Sequence, residues 1–137
     1  MKKYFEKLLS DGESSLLEMD LKSAAIKHYE FMKQIIKYLT RKYANKIYNK
    51  ALEYGNWDFW RKEKRYGLDI AYHAIRKELE KQGMAQLSEA LALAWKSAKE
   101  LQREQFYEFL ALDEELIQED IENIKRFWER LKEFVEE

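Results

Sequence analysis

The chain has 137 residues, of which 37% are charged and 46% hydrophobic, and its net charge is −1. The length predicts one domain, residues 1–137, with a core of its own. The sequence has no cysteine, which excludes disulfides, thiolate nucleophiles and Cys-based metal centres.

The same composition narrows the class of protein further. Proline is absent and only four glycines occur, which favours an all-α chain. No apolar run reaches the ~18 residues of a membrane span. No signal peptide is recognisable in MKKYFEKLLSDGES, so we expect a cytoplasmic protein without membrane contact. The Lys/Glu-rich, Cys-free composition is typical of thermophile proteins.

Charge is distributed unevenly along the chain. Residues 20–50 carry eight basic and two acidic side chains, whereas residues 100–137 carry five basic and thirteen acidic ones. The two stretches fit either solvated helix faces or a basic and an acidic surface that meet, within the fold or across a dimer.

The first helix is predicted over residues 3–18. Its apolar face consists of Phe5, Leu8, Leu9, Gly12, Leu16 and Met19. Asp11-Gly12 is also a turn pair, but the nearly continuous apolar face favours a helix in which Gly12 allows close approach of another backbone. Met19-Asp20 then predicts a short turn, with Asp20 as N-cap of the next helix.

The second helical pattern is long for a globular protein. It starts at Leu21 and continues for roughly 35 residues until Gly55 stops it, so a bend or break between Thr40 and Asn45 is expected. Basic residues recur every four positions away from the apolar stripe. They form two rows, Lys33, Lys37 and Arg41, and Lys42, Lys46 and Lys50. Such rows could bind the phosphates of a nucleic acid or could serve only solubility.

The stretch Gly55–Gly67, GNWDFWRKEKRYG, shows no clean periodicity. Aromatic residues interleaved with basic ones can stack on bases and hold phosphates. The alternative is a loop pinned to the core by its aromatic residues, with the charges in water. As the best candidate contact segment, it offers Trp57, Trp60, Arg61, Lys62, Lys64 and Arg65.

Three further helices complete the predicted fold. Leu68–Lys81 forms a helix that Gly83 closes as a C-cap-like residue. The next helix covers residues 84–110, and Asp113 caps a final one. Its buried stripe is predicted to be Ile117, Ile121, Ile124, Trp128, Leu131 and Val135. The expected fold is therefore all-α, an antiparallel bundle of about five helices.

Two long segments resemble a known family. They read LLSDGESSLLEMDLKSAAIKHYEFMKQIIKYL and WKSAKELQREQFYEFLALDEELIQEDIENIKRFWERLKEF. Together they are similar to the PaREP family of archaeal proteins, a branch of the HEPN-like superfamily of helical bundles. The likeness covers the chain except residues 45–83. The positions that match are Leu17 to Asp20, Ala25 to Tyr29, Trp95, Ala98, Leu101, Phe106, Tyr107 and Glu108.

The resemblance implies a HEPN-like bundle, a homodimer, and a toxin–antitoxin style pairing with a partner protein such as a small nucleotidyltransferase. HEPN-like ribonucleases use an Arg and a His with four to six residues between them. This chain has Gln102 where the family often has His. Arg65 precedes His73 with seven residues between them, and no Arg precedes His28, so the ribonuclease motif is incomplete.

The remaining candidate chemistry is sparse. His28 and His73 are each predicted to be core or groove histidines, and no metal site or nucleotide-phosphate loop is predicted. A possible cleft would bring together His28, His73, Arg103 and Glu108. We therefore expect a non-enzymatic HEPN-like protein without a cofactor that binds a nucleotide, a nucleic acid or a protein partner. The alternatives are a HEPN-like ribonuclease with a degenerate motif, using Arg65 and His73, and a purely structural homodimer.

Overall fold

The computed structural model describes residues 1–54, 60, 61, 64, 65, 67–104 and 114–137; at 54, 60, 61, 64, 65 and 104 the description covers the backbone only. The fold is all-α, as predicted. The helices are α1 (Lys2–Leu17), α2 (Leu21–Tyr43), α3 (Asn45–Tyr54), α4 (Leu68–Lys81), α5 (Ala85–Glu104) and α6 (Glu114–Leu131), followed by a 3₁₀ turn (Lys132–Phe134). Two short antiparallel strands, β1 (Trp60–Arg61) and β2 (Lys64–Arg65), lie between α3 and α4.

The predicted break in the long helical pattern is confirmed, and with it the described part of the chain has six α-helices where about five were predicted. α2 ends at Tyr43 and α3 begins at Asn45. The Thr40 hydroxyl donates to the Ile36 carbonyl at 2.6 Å, a back-bond that bends helices. The Asn45 side-chain amide donates to the Arg41 carbonyl at 3.3 Å. Side chains from both sides of the junction thus donate to backbone acceptors of α2.

Residue contacts group the chain into two compact units, Met1–Met32 with Ala90–Glu137, and Lys33–Glu89. We call them the terminal unit and the central unit.

The terminal unit is organised by three aromatic rings from three helices. Phe5 of α1, Phe31 of α2 and Trp128 of α6 are all buried. Their ring centroids are 5.8–6.3 Å apart, in edge-to-face arrangements, a geometry that adds about 0.5–1.5 kcal/mol per pair beyond area burial. The predicted stripe of α6 is confirmed, since all six residues are buried.

Other contacts join α5 to this unit. The rings of Tyr29 and Trp95 stack at 6.2 Å, and the Asn123 side-chain amide donates to the Ser97 hydroxyl at 3.0 Å. α5 therefore contacts both α2 and α6 within the terminal unit.

The central unit has its own apolar interior. Its buried side chains come from α2, α3, α4 and α5 and include Ile35, Ile36, Leu39, Ala51, Ala71, Ile75, Leu79 and Leu87. The buried Ser88 hydroxyl accepts from Arg76 Nε at 2.9 Å and lies 3.2 Å from Glu80 Oε1. This polar contact fixes α5 against α4. Leu52 was predicted on the apolar stripe of the second helical pattern. This prediction is wrong, since Leu52 is 60% exposed.

The turn from α1 to α2 has the predicted N-cap and an unpredicted strained residue. The Ser23 N–H donates to Asp20 Oδ1 at 3.1 Å, so Asp20 is the N-cap. The Asp20 N–H donates to the Ser15 carbonyl and the Met19 N–H to the Leu16 carbonyl, the hydrogen-bond pair of a Schellman motif. Met19 has φ 60° and is exposed, whereas the sequence predicted it on the buried face.

The end of α4 shows the same motif with the preferred residue. The Met84 N–H donates to the Leu79 carbonyl and the Gly83 N–H to the Glu80 carbonyl. Gly83 has φ 80°, which confirms the predicted C-cap. Among the described residues, no helix is both long enough and apolar enough to cross a membrane.

These two turns generate a matched prediction. A left-handed conformation costs a non-glycine residue roughly 1–2 kcal/mol. Met19→Gly should therefore stabilise the protein by up to about 1 kcal/mol, after allowance for the added freedom of the unfolded chain. Gly83→Ala should destabilise it by about 1 kcal/mol, because no neighbouring atom lies within 4 Å of the added Cβ and the cost is purely conformational.

Urea denaturation of the two variants measures both free energies of unfolding. If Met19→Gly proved destabilising, the assigned backbone conformation at residue 19 would be incorrect.

Candidate functional site

The four residues of the predicted cleft fall in different surroundings. His28 of α2 is fully buried, Arg103 of α5 is exposed, and Glu108 lies outside the described residues. His73 of α4 is exposed rather than in the core, with its ring 4.9 Å from the ring of Tyr72. His73 belongs to the central unit, while His28 and Arg103 belong to the terminal unit. A cleft shared by all four stays a prediction.

The predicted contact segment is described only in part. Trp57 and Lys62 lie outside the described residues. Trp60 and Arg61 pair through their backbones with Arg65 and Lys64, and the side chains of these four are not described. Base stacking by this segment, and the pairing of Arg65 with His73 in the ribonuclease hypothesis, therefore stay predictions.

His28 lies at a close contact between α1 and α2. Its Nδ1 is 2.7 Å from the Ala24 carbonyl oxygen, so the neutral ring donates from Nδ1. Its Nε2 is buried and has no hydrogen-bond partner among the described residues. A Cβ placed on Gly12 would lie 2.6 Å from Cε1 of this ring. The close approach predicted at Gly12 is thus made by an imidazole and not by a backbone.

Charged groups surround this contact. Lys125 Nζ of α6 lies 2.7 Å from Glu13 Oε1 of α1, and Lys27 Nζ of α2 donates to the buried Ser15 hydroxyl at 2.8 Å. Glu13 Oε1 is buried without hydrogen-bond geometry to any described donor. The Glu13–Lys125 contact is therefore better described as an ion pair. A polar cluster of His28, Glu13, Ser15, Lys27 and Lys125 thus lies between α1, α2 and α6.

Burial lowers the pKa of the His28 imidazole below its ordinary value near 6.5. The Ala24 carbonyl and the Glu13 carboxylate act in the opposite direction, and the Lys125 ammonium adds to the lowering. The imidazole is therefore neutral at pH 7. The buried ring contacts Gly12 and the Ala24 carbonyl and has no exposed surface in this conformation.

Surface charge provides the better candidate site. α2 and α3 carry Arg41, Lys42, Lys46 and Lys50, with no acidic residue from 41 to 52. The first three are exposed and Lys50 is half-buried. We call these four residues the basic strip. The Lys50 ammonium lies 3.4 Å from Glu53 Oε2, and the Lys42 ammonium lies 5.7 Å from the ring centroid of Tyr43.

The uneven charge of the sequence coincides with the two compact units. Residues 33–89 of the central unit carry 13 basic and 7 acidic side chains, a net charge of +6. The terminal unit carries 12 basic and 19 acidic side chains, a net charge of −7. The chain therefore combines a basic unit with an acidic one, although its net charge is close to zero.

Comparisons of the chain with protein-family models, curated proteins and solved structures found no match. Within the described residues, no group of three or more His, Cys, Asp or Glu side chains is placed to hold a metal ion.

The contact between Gly12 and His28 generates a stability prediction. Alanine is a better helix former than glycine by about 1 kcal/mol, yet Gly12→Ala should destabilise the protein by about 1–3 kcal/mol. The reason is that the new methyl overlaps a ring held in the core. In a His28→Ala background the overlap is gone, and Gly12→Ala should become neutral or stabilising.

The double-mutant cycle, measured by chemical denaturation, isolates this coupling. Equal effects of Gly12→Ala in both backgrounds would show that the ring does not face Gly12.

The lowered pKa of His28 generates a pH prediction. The unfolded chain takes up a proton at His28 near pH 6.5, whereas the folded chain does so only at lower pH. The free energy of unfolding should therefore be highest above pH 6.5. It should fall as the pH decreases from about 6.5 through the lowered pKa, by at most ~1.4 kcal/mol per pH unit.

Unfolding free energies measured between about pH 7 and pH 5 test this, above the range in which most carboxylates titrate. His28→Gln should remove the slope. His73→Gln, which changes an exposed histidine, should keep it. If only His73→Gln lost the slope, His73 and not His28 would be the source of the pH dependence.

Proposed function

We propose that the chain is a non-enzymatic helical protein that binds nucleic acid through the basic strip. The observation that carries this proposal is the concentration of positive charge in the central unit, +6, with the exposed cations of α2 and α3 at its surface. Such a surface attracts a polyanion and binds it by releasing counterions.

The composition of the strip indicates how it would bind. Its four cations lie within residues 41–50, on both sides of the junction of α2 and α3. Each of them can neutralise one phosphate of a nucleic-acid backbone. Contacts of this kind position a protein on the backbone without reading sequence, and the proposed binding is sequence-independent.

The placement of the histidines supports the non-enzymatic part of the proposal. The chain has two histidines, and His28 is fully buried. Only His73 is exposed, and acid–base chemistry on a ribose needs a second group to hold the phosphate. The HEPN-like assignment, and with it a nucleotidyltransferase partner, stays part of the proposal, since an all-α bundle is compatible with that superfamily.

Charge reversal tests the proposal. In the variant Arg41→Glu/Lys42→Glu/Lys46→Glu, the affinity for a labelled RNA oligonucleotide should fall at least tenfold at low salt. The slope of log affinity against log salt should become shallower by about 2, at roughly 0.7 per lost contact with a single strand. Fluorescence anisotropy at two or more salt concentrations measures both.

The matched control is Lys3→Glu/Lys7→Glu/Lys96→Glu, which changes the net charge equally at exposed positions of the terminal unit. It should retain most of the affinity. Equal loss of RNA affinity in both variants would show that overall charge, and not the basic strip, determines binding. Absence of RNA binding by the unaltered chain would refute the proposal. RNA cleavage that His73→Ala abolishes would favour the ribonuclease alternative instead.

A further inference from the structure

The first half of α6 is the acidic counterpart of the basic strip. Residues 114–124 contain five acidic side chains and no basic one. Four of these side chains are exposed, Glu114, Glu115, Glu119 and Glu122, and we call them the acidic strip. They span about 12 Å of α6 at 1.5 Å per residue.

Most of this charge has no ion pair with the described residues of its own unit. Glu114 accepts from the amide of Gln118 at 3.1 Å, and Glu122 lies 3.6 Å from Arg126. Glu115 and Glu119 form no ion pair with the described residues of the terminal unit. Like charges four residues apart destabilise a helix by about 0.2–0.5 kcal/mol per pair. Both strips contain such pairs, and an oppositely charged surface would relieve the cost.

An exposed leucine accompanies each strip. Leu52 follows the basic strip and is 60% exposed, and Leu116 lies within the acidic strip and is 53% exposed. Each leucine offers apolar area at the edge of a charged surface, the composition of a small polar interface.

We propose that the basic strip of one copy of the chain binds the acidic strip of a second copy. Complementary charge favours this pairing of surfaces over others. Every copy carries both strips, so each copy can bind a second one through either strip. The contact is electrostatic and should weaken strongly as salt shortens the screening length from about 10 Å at 0.1 M to about 3 Å at 1 M.

One consequence of this contact, competition with nucleic acid, rests on the proposed function. Nucleic acid and a second copy would occupy the same four cations, so the two forms of binding exclude each other. Self-association would then keep the basic strip covered until a polyanion displaces the acidic strip.

Complementary charge reversal tests the contact itself. Sedimentation velocity without nucleic acid should show concentration-dependent association of the unaltered chain at low salt, lost at 1 M. Arg41→Glu/Lys46→Glu cancels the net charge of the basic strip, and Glu115→Lys/Glu119→Lys cancels that of the acidic strip, so each variant alone should be monomeric. An equimolar mixture should associate again, because the unaltered basic strip of one variant then meets the unaltered acidic strip of the other.

Thermal unfolding by circular dichroism verifies that both variants fold. Three results would overturn the proposal: a monomer at every concentration, as expected if the charges pair within one chain; association of either variant alone like the unaltered chain; or no recovery in the mixture. Lys3→Glu/Lys7→Glu should leave association unchanged. Because the experiment contains no nucleic acid, its result is independent of whether the basic strip binds RNA. Displacement by added RNA tests the competition separately.

Discussion

The terminal unit depends on one steric constraint, the space that Gly12 leaves for the imidazole of His28. A side chain at position 12 would overlap the ring, and the ring's Nδ1–H is already bonded to the Ala24 carbonyl. Because α1 can approach α2 this closely, Phe5 reaches Phe31 and Trp128. The His28 imidazole therefore fills the space between α1 and α2 and is not itself exposed at the surface.

The sequence predicted those elements whose ends are marked by local chemistry. The bounds of α4 were predicted to the residue, since Gly83 is required at φ 80°, and Asp20 was recognised by its capping role. The buried stripe of α6 follows helical periodicity alone. α1 was less predictable. Leu8, Leu9 and Leu16 were expected on its buried face but are only half-buried, whereas Phe5, Gly12 and Ser15 are buried. A glycine and a serine can form a contact face only if a partner side chain fills the space, which apolar periodicity cannot reveal.

The candidate site was predictable as a charge pattern but not as a surface. The rows of basic residues on the second helical pattern were evident from four-residue spacing, and their exposure was not. The ion pair of Glu13 with Lys125 joins residues 112 positions apart, and no local signal predicts it. The coincidence of charge with the two compact units required the grouping of residue contacts. This grouping shows that one compact unit is basic and the other acidic.

If the basic strip binds nucleic acid and the His28 cluster does not, a short RNA should perturb the amides of the two regions differently. Backbone amide NMR of ¹⁵N-labelled protein, titrated with a short RNA, measures these changes residue by residue. The largest shift changes should fall within residues 41–50, and the amides around Gly12 and His28 should change little. Shift changes concentrated around Gly12 and His28, or none at saturating RNA, would show that the basic strip is not the binding surface.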